Sequence, residues 1–326
     1  MKSREENFNY TAISNEDIER LVVSREGEKR LGEVCTGNEK KRFVIFGVEE
    51  SVGPVANLGK PGAENGFEHF LSTFLNIQSN RFLLGKSVKV EGRIQCLNHF
   101  SDISKNRTLV EELDEFIVNI LEKYVKEDQI PIIVGGGHNN AFPLMKFASE
   151  RLKKAINVVN LDPHADYRKQ EGRHSGNAFS YAFDKSYLEK YHVVGLHENY
   201  NSEEMLSRLE KDGHFFTMFE DYLVGLRNIN NDFVELCKMN MDTPLGIEMD
   251  MDAIIDMPSS ARTPSGVTLE RARIYIKTVS NVKNVAYLHI PEAAPSSPKE
   301  NATVGKALSY LVSDFIKTVN SVSLEK

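Results

Sequence analysis

Two short runs of the sequence combine carboxylates and histidine at a spacing that suits metal binding. DPHAD, at residues 162–166, follows the apolar run Ile156–Leu161, and EMDMD, at residues 248–252, ends a second apolar run. Along an extended chain, residues two positions apart share a face, so each run groups its acidic and histidine side chains. Carboxylates grouped in this way destabilise a fold unless a cation or a set of donors neutralises them. The grouping therefore indicates a site for cations.

His138 adds a second histidine to this set. It follows the apolar run Ile130–Val134 and the glycines of GGGH, and a helical segment separates it from the strand that precedes Asp162. Two parallel strands joined by a helix form a βαβ unit, which places both strand ends at the carboxyl edge of the sheet, where open α/β folds keep their sites. We therefore expect His138 to lie beside the DPHAD run.

The ligand types indicate which ions would bind. The acidic ligands would be four aspartates, Asp162, Asp166, Asp250 and Asp252. Their four negative charges would be balanced by two divalent cations, and His138 and His164 could supply one nitrogen to each ion. Carboxylate-rich shells with one imidazole suit Mn²⁺ first, and Zn²⁺, Co²⁺ and Ni²⁺ are further candidates.

Each run taken alone has a simpler interpretation. A lone Asp-x-His-x-Asp is often a solvated turn, aspartates at strand ends often cap helices, and GGGH can be a turn beside a core histidine. Three such runs at three strand ends of one chain favour a metal site over these alternatives. Dinuclear metallophosphatases and histone-deacetylase-like zinc enzymes are excluded as classes, because the further histidine motifs that they need are absent from the sequence.

Strand and helix patterns alternate along most of the chain. Apolar strand candidates also occur at Arg42–Val48 and Val285–Ile290, and the last amphipathic helix covers Val304–Val319. This alternation predicts a single α/β domain over residues 42–326. We expect a three-layer αβα architecture, with a mostly parallel, doubly wound sheet between two layers of helices. Residues 1–41 are predicted to be a polar N-terminal extension with a helix or two and a loop.

Composition narrows the classes of function. The chain has 326 residues, of which 40% are apolar and 27% charged, with a net charge of −7. An acidic chain argues against nucleic acid or an anionic membrane as the main partner, and no apolar run has the length of a membrane span or the character of a signal core. Three widely spaced cysteines without a CxxC pair favour a reduced cytoplasm. We therefore expect a cytoplasmic protein that acts on a small molecule.

Together the motifs resemble those of the ureohydrolase superfamily of arginases, agmatinases and formimidoylglutamases. The matching segments are GGGH (135–138), DPHAD (162–166), EMDMD (248–252) and PEAAP (291–295). The resemblance implies an arginase-like fold and two manganese ions. The ligands implied for one ion are His138, Asp162, Asp166 and Asp250. Those implied for the other are Asp162, His164, Asp250 and Asp252. Two residues beside the ligands depart from the family pattern: Gly137 replaces a usual aspartate, and Glu248 replaces a small polar residue.

Three segments look more like formimidoylglutamases than arginases. The glycine- and proline-rich loop 53–63, which we expect to be irregular, resembles that branch's Asn-x-Gly-Arg-x-Gly-Ala from Asn57 onwards, with Lys60 where arginine is usual. Asp166-Tyr-Arg168 resembles its Asp-Leu-Arg, and HSGNAF at residues 174–179 resembles its Ser-Ser-Gly-Thr-Pro-Phe. The substrate contacts implied are Asn57, Lys60, Arg168, Ser175 and Asn177. Lys60 and Arg168 could anchor the carboxylates of a glutamate-like substrate, or each could form only a surface salt bridge.

The chemistry expected of this site is hydrolysis. Two divalent ions can activate water for attack on the carbon of an amidine or guanidine. Asp166 is the candidate proton shuttle to the leaving nitrogen. Glu292 would pair with the cationic amidine, although a carboxylate at this position could instead cap the last helix. His174 could assist proton transfer or contact the substrate, or it could be a solvated loop histidine.

These observations predict a binuclear manganese hydrolase of linear amidines, of the formimidoylglutamase type, which converts N-formimidoyl-L-glutamate and water to L-glutamate and formamide. One alternative is a guanidino hydrolase such as arginase or agmatinase, which releases urea. Another is a metal-free superfamily member with a binding or regulatory role. The superfamily also implies a homo-oligomer, either a trimer or a hexamer.

Overall fold

Nine strands form one sheet within residues 7–37 and 39–324, the part of the chain that the computed structural model describes. The strands are β1 (Phe8–Ala12), β2 (Phe43–Glu49), β3 (Val88–Cys96), β4 (Ile130–Val134), β5 (Ile156–Leu161), β6 (Leu188–Leu196), β7 (Phe215–Met218), β8 (Leu245–Met249) and β9 (Val285–Ile290). Their order is β1-β3-β2-β4-β9-β8-β5-β6-β7, and each neighbouring pair is parallel except β1 with β3. The predicted doubly wound, mostly parallel sheet is confirmed.

Helices cover both faces of the sheet. In the described residues they are α1 (Asn15–Leu21), α2 (Gly32–Cys35), α3 (Val52–Ala56), α4 (Gly66–Phe74), α5 (Ile103–Tyr124), α6 (Ala141–Leu152), α7 (Ala178–Asp184), α8 (Glu203–Lys211), α9 (Phe219–Leu223), α10 (Ile229–Met239), α11 (Leu269–Val279) and α12 (Pro298–Leu324). α4, α10, α11 and α12 bury their apolar faces in one core, and α3, α5, α6 and α7 in the other. The fold therefore has the three-layer αβα arrangement expected from the sequence, with one layer of helices on each face of the sheet.

Successive side chains of a strand point alternately into the two cores. In β2, Phe43 and Ile45 point into the first core, while Val44 and Phe46 point into the second, and all four are fully buried. Parallel strands covered on both faces need apolar residues at nearly every position. This requirement explains why the central strands appear in the sequence as mostly apolar runs, with a few buried polar residues such as Asn160, Glu248 and His289.

The N-terminal segment contributes a strand that the sequence did not predict. We predicted that residues 1–41 form a polar extension with a helix or two and a loop, whereas Phe8–Ala12 pairs antiparallel with β3 at the edge of the sheet. Only one face of this edge strand is covered, so Phe8 is buried while its neighbours are mostly exposed, and the apolar pattern is too short to recognise. Residues 1–6 and 38 of that segment lie outside the described residues.

Part of the glycine- and proline-rich loop is more regular than predicted. Val52–Ala56 forms the short helix α3, with Pro54 in its first turns, where a missing backbone N–H is tolerated. The rest of the loop turns sharply, since Leu58 and Gly62 have φ angles of 65° and 129°. The same helix lies next to the turn that follows β4, and this packing brings the loop towards the predicted site.

No helix within residues 7–37 and 39–324 combines the length and the apolar character that a membrane span would need.

Candidate active site

Four neighbouring strands in the middle of the sheet carry the predicted metal ligands and Glu292 after their carboxyl ends. β4, β9, β8 and β5 lie side by side, and the chain turns that follow them contain His138, Glu292, Asp250 and Asp162. Carboxyl ends of parallel strands meet at one edge of a sheet. The strand order therefore brings together residues that are far apart in the chain, such as His138 and Glu292, which are separated by 154 positions.

His138 lies at the centre of a cluster of carboxylates. Its Nδ1 is 3.1 Å from Asp162 Oδ2, 3.0 Å from Asp166 Oδ2 and 2.8 Å from Asp250 Oδ2. One ligand atom from each of the four residues lies within 4.8 Å of the others. The structure thus brings together the first ligand set that the family resemblance implies.

His164 lies on the other side of Asp162. Its Nδ1 is 3.5 Å from Asp162 Oδ1 and 3.8 Å from Asp252 Oδ2. The ring of Tyr200 stacks on the His164 ring with 5.2 Å between centroids. Asp162 therefore turns one oxygen towards each histidine, which is the orientation that a bridging ligand requires.

The aspartates of the two acidic runs lie beyond the strand ends, where the chain bends, which corrects the extended geometry that we assumed from the sequence. Asp162 and Asp250 each come directly after the end of a strand. Asp162 Oδ1 accepts a hydrogen bond from His164 N at 2.7 Å, and Asp250 Oδ1 accepts one from Asp252 N at 2.7 Å. In each turn the first aspartate holds the backbone of the residue two positions later, as aspartates commonly do.

Two of the predicted catalytic residues have backbone conformations that side chains other than glycine rarely adopt. Asp166 has φ 45° and Glu292 has φ 68°, both in the left-handed region. Such a conformation costs about 1–3 kcal/mol and persists only where the surroundings impose it, which is most often at functional sites. These two conformations therefore lower the stability of the fold and set the directions of the two carboxylates.

The donor set fits divalent cations. Both ring nitrogens of His138 are buried without a well-formed hydrogen bond to any described residue. Burial opposes protonation of this ring, but the carboxylates of Asp162, Asp166 and Asp250 outweigh it and raise its pKa. Burial and the charge of Asp162 raise the pKa of Asp250 well above its usual range. The cluster thus needs positive charge, and carboxylates with one imidazole are a ligand set that suits Mn²⁺.

Glu292 presents a second, differently placed carboxylate. Its Oε1 accepts a hydrogen bond from His138 N at 2.6 Å, whereas Oε2 is buried and makes no well-formed hydrogen bond within the described residues. Burial, followed by the charge of Asp252, raises the pKa of Glu292 to about 8. Since Oε1 bonds to the turn after β4, the carboxylate holds the site together and does not cap α12.

A cavity of about 180 Å³ opens over the cluster. Its floor consists of His164, Asp166, Asp250, Asp252 and Glu292. Its rim includes four of the predicted substrate contacts, Asn57, Lys60, Arg168 and Ser175. Asn57 Nδ2 donates to Ser175 Oγ at 3.3 Å, which joins the loop after β2 to the loop after β5. The cavity therefore places acidic groups below and two cationic side chains above.

Arg168 lines the cavity and also forms a salt bridge. Its side chain is 50% exposed, and its Nε and Nη2 donate to Glu171 Oε1 at 3.2 and 3.0 Å. Arg107 Nη2 lies 3.7 Å from the same oxygen. Lys60 also lines the cavity, and its side chain is exposed. The two interpretations that the sequence left open for Arg168 are therefore compatible with each other.

His174 is buried behind the cavity wall. Its Nδ1 accepts a hydrogen bond from Gly176 N at 3.1 Å, and its Nε2 lies 3.2 Å from Glu171 Oε1. Burial, together with Arg107 and Arg168, lowers the pKa of His174 to about 4. The solvated position considered for His174 is wrong, because the ring is fully buried and both of its nitrogens have partners in the loop.

Asn177 is also buried and does not line the cavity. Its Oδ1 accepts hydrogen bonds from Arg173 Nη1 at 2.6 Å and His174 N at 3.1 Å, and its Nδ2 donates to Gly172 O at 2.8 Å. Arg173, in turn, donates to Asp114 Oδ2 at 2.9 Å. These bonds stabilise the loop that carries Ser175, and they leave no polar group of Asn177 directed at the cavity.

The departure at Gly137 has a steric explanation. A Cβ added to Gly137 would lie 2.3 Å from Pro54 Cδ and 2.5 Å from Asn139 Oδ1, which is closer than such atoms can approach. α3 thus occupies the space that an aspartate side chain would need. Instead, Glu50 Oε1 accepts hydrogen bonds from Gly137 N at 2.7 Å and Asn140 Nδ2 at 2.8 Å, so a carboxylate from another strand end holds this turn.

Sequence reasoning missed three polar residues that organise the site. None of the motifs that we identified in the sequence includes Glu50, Glu171 or Arg173. Only Glu50 had a usable signal, because it comes directly after β2 at the same edge of the sheet. Glu171 and Arg173 lie in an irregular loop, where no periodicity indicates which side chains turn inwards.

Comparison with known proteins is consistent with this geometry. A formimidoylglutamase from Streptococcus gordonii is 24% identical over 284 residues, which cover 84% of this chain and 83% of that protein. The solved formimidoylglutamase of Bacillus subtilis matches with a TM-score of 0.74 at 17% identity, over 91% of this chain and 93% of that chain. A formiminoglutamase from Trypanosoma cruzi, solved with Mn²⁺, matches with a TM-score of 0.68 at 17% identity, over 89% of this chain and 99% of that chain.

At these identities the solved structures establish a shared fold. The pattern characteristic of the arginase family matches residues 41–316, which include every predicted ligand and the loops around the cavity. The chain therefore belongs to the arginase family.

Proposed function

We propose that this protein hydrolyses N-formimidoyl-L-glutamate to L-glutamate and formamide with two Mn²⁺ ions. The bond that breaks joins the amidine carbon to the glutamate nitrogen, and the oxygen of water becomes the formamide oxygen. For the cationic amidine, both protons of that water end on the leaving nitrogen, which departs as the ammonium group of glutamate. The observation that carries the proposal is the cavity itself, which combines a carboxylate floor with two cations on its rim.

The floor has the residues to hold two ions. His138, Asp162, Asp166 and Asp250 would bind one, and Asp162, His164, Asp250 and Asp252 the other. Bound divalent ions would supply an activated water and would stabilise negative charge on the attacked amidine. The turns after β5 and β8 keep these side chains in place through the backbone hydrogen bonds of Asp162 and Asp250.

Two carboxylates have the positions needed for the remaining steps. Glu292 Oε2 is free of well-formed hydrogen bonds in a buried part of the floor, so it can pair with the cationic amidine and orient it. Asp166 lies in the floor 3.0 Å from His138 Nδ1, and its imposed backbone conformation directs it at the cavity. Asp166 would pass the proton to the leaving nitrogen.

The rim provides for the other end of the substrate. Formimidoylglutamate carries two carboxylates, and Arg168 and Lys60 are the cationic side chains that line the cavity within the described residues. Asn57 and Ser175 also line the cavity and can donate hydrogen bonds. His174 and Asn177 would act indirectly, by stabilising the loop that carries Ser175.

Substrate assays test this assignment directly. Protein loaded with Mn²⁺ should be incubated with formimidoylglutamate, arginine, agmatine and guanidinobutyrate, and formamide, ammonia and urea should be measured separately. We expect formamide from formimidoylglutamate at the highest kcat/KM. Urea from arginine or agmatine at a higher kcat/KM would contradict the proposal and assign a guanidino hydrolase. Loss of turnover on chelation, restored by Mn²⁺, separates both enzymes from a metal-free binding protein.

The cytoplasmic location and the assembly into a trimer or hexamer stay predictions. Light scattering of the purified protein would measure the oligomeric state.

A further inference from the structure

A buried carboxylate lies against the nitrogen of His138 that faces away from the aspartates. Glu248 Oε2 is 3.3 Å from His138 Nε2 and 2.6 Å from His289 Nδ1. Glu248 and His289 are opposite each other in the parallel pair β8 and β9. All three side chains are fully buried and belong to a single compact group. They form a row that extends from the metal ligand into the core.

The row formed by His138, Glu248 and His289 favours one nitrogen of His138 as the metal ligand. A neutral imidazole has one N–H and one lone pair. Nδ1 faces Asp162, Asp166 and Asp250, so a metal in that cluster would use the lone pair of Nδ1. The hydrogen is then on Nε2, where the facing group is an acceptor, Glu248. A carboxylate behind a ligating histidine holds its tautomer and orientation and makes the ring a stronger ligand.

His289 makes it feasible to keep a carboxylate at this depth. A buried carboxylate is costly unless donors satisfy it, and His289 Nδ1 supplies one at 2.6 Å. Tyr275 donates its hydroxyl to Glu248 O at 3.0 Å and holds the strand in place beneath it. Glu248 does not line the cavity, so it has no access to a substrate.

We propose that Glu248, held by His289, is a positioning residue that orients His138 and strengthens metal binding at Nδ1. This inference rests on the proposed function, because it requires a cation in the carboxylate cluster. The small polar residue usual at this position in the superfamily could orient the ring, whereas a carboxylate also increases its basicity. The pair Glu248 and His289 would therefore tune the metal affinity of this chain.

Titration of metal-free protein with Mn²⁺, followed by the electron paramagnetic resonance signal of unbound Mn²⁺, tests the proposal without turnover. Glu248→Gln keeps the size of the side chain and removes its charge. We expect one of two ions to bind about 10- to 100-fold more weakly, and the other to keep its affinity. Glu91→Gln is the matched control, since Glu91 is also a buried glutamate but lies in β3, where it pairs with Lys89 and does not line the cavity. It should leave both affinities unchanged.

A double-mutant cycle separates action through the ring from action at a distance. If Glu248 acts through His138, then Glu248→Gln added to His138→Asn should weaken Mn²⁺ binding no further. His289→Leu removes the donor to Glu248 and leaves both Glu248 and His138 in place. It should reproduce part of the loss of Mn²⁺ affinity that is expected for Glu248→Gln. This variant keeps the test decisive if His138→Asn does not fold, and thermal unfolding of each metal-free variant shows which ones are folded.

The outcomes are distinct. If the wild type binds two ions and Glu248→Gln binds both with wild-type affinity, the positioning role is overturned and the proposed function stands. If the loss persists in the His138→Asn background, Glu248 acts only as a distant charge, and the role is also overturned. A third Mn²⁺ that disappears in Glu248→Gln would make Glu248 a ligand and contradict the proposal. A wild type that binds no Mn²⁺ would overturn this inference together with the proposed function.

Discussion

The floor and the rim of the cavity are built in different ways. The floor residues lie in the turns at the ends of the central strands β9, β8 and β5, and their carboxylates bond to the backbone of these and neighbouring turns. The rim residues lie in the loop that follows α3 and in the long loop between β5 and α7. Asp250 is buried, whereas Lys60 is exposed and the Arg168 side chain is 50% exposed.

This difference separates the chemistry from the choice of substrate. A buried strand end cannot move without disturbing both cores, so the spacing of the ligands is set by the sheet. Long cationic side chains on loops adjust their positions at little cost, and the half-exposed Arg168 side chain is held by its hydrogen bonds to Glu171. A change in the floor should therefore affect every substrate, and a change in the rim should affect only some.

Removal of a floor ligand should have the largest effect. Asp250 Oδ2 is 2.8 Å from His138 Nδ1, and Asp250 is expected to bridge the two ions. Asp250→Ala should lose most of the bound Mn²⁺ and all measurable turnover, a greater loss than the roughly 10- to 100-fold typical of residues that only support a ligand. Elemental analysis after manganese loading should give two ions per chain in the wild type. Asp242→Ala, at an exposed carboxylate, is the control.

A change in the rim should discriminate between substrates. A partly desolvated arginine–carboxylate contact contributes about 1.5–3 kcal/mol, so Arg168→Met should lower kcat/KM for formimidoylglutamate about 10- to 100-fold, mainly through KM. The Mn²⁺ content should not change, and agmatine, which has no carboxylate, should be affected much less. The exposed neighbour Lys169, which does not line the cavity, provides the control Lys169→Met. Equal losses for every substrate would show that Arg168 is structural.

The floor should also make metal binding depend on pH. Burial opposes protonation of His164, but Asp162 and Asp252 raise its pKa to about 10 in the metal-free protein. The ring must lose its proton to bind Mn²⁺, so affinity should increase with pH across the neutral range, with proton release. Calorimetric titration in buffers of different ionisation enthalpy counts the protons. An affinity that does not change between about pH 6 and pH 9 would contradict this prediction.

The raised pKa of His164 has the opposite effect on folding: the stability of the metal-free protein should decrease with pH, whereas its affinity for Mn²⁺ increases. The folded pKa of His164 lies above the unfolded value of about 6.5, so protonated His164 stabilises the fold fully below that pH. This stabilisation should be lost as the pH rises through about 10. The melting temperature of metal-free protein should therefore fall over this range, and bound Mn²⁺ should reduce the fall.

The smallest effect is expected behind the rim. His174 is buried with both nitrogens bonded in its loop, so His174→Gln should lower the free energy of unfolding by about 1 kcal/mol and leave the Mn²⁺ content unchanged. Chemical denaturation and steady-state kinetics measure the two quantities. A large fall in kcat with unchanged stability would support the proton-transfer role considered from the sequence.

The sequence by itself determined the parallel part of the sheet and the placement of the candidate ligands at its carboxyl edge. Mostly apolar runs such as Ile130–Val134 and Ile156–Leu161 favour strands that are buried on both faces, and the candidate ligands follow the ends of these strands. Because parallel strands end at one edge, the positions of His138 and Asp162 in the chain were enough to predict that they meet. This inference did not need the exact backbone, and it held although the chain bends at residues 163–164 instead of continuing as an extended segment.

Only the tertiary structure decided the contacts that depend on irregular loops and on packing between strands. Arg168 and Glu171 meet, His174 turns inwards, and Glu248 faces His138 because of side-chain directions that no periodic pattern encodes. The same holds for the pairing of Phe8–Ala12 with β3, which joins segments far apart in the chain. Periodicity reports which face of an element is buried, whereas the identity of the neighbour across that face follows from how the elements pack.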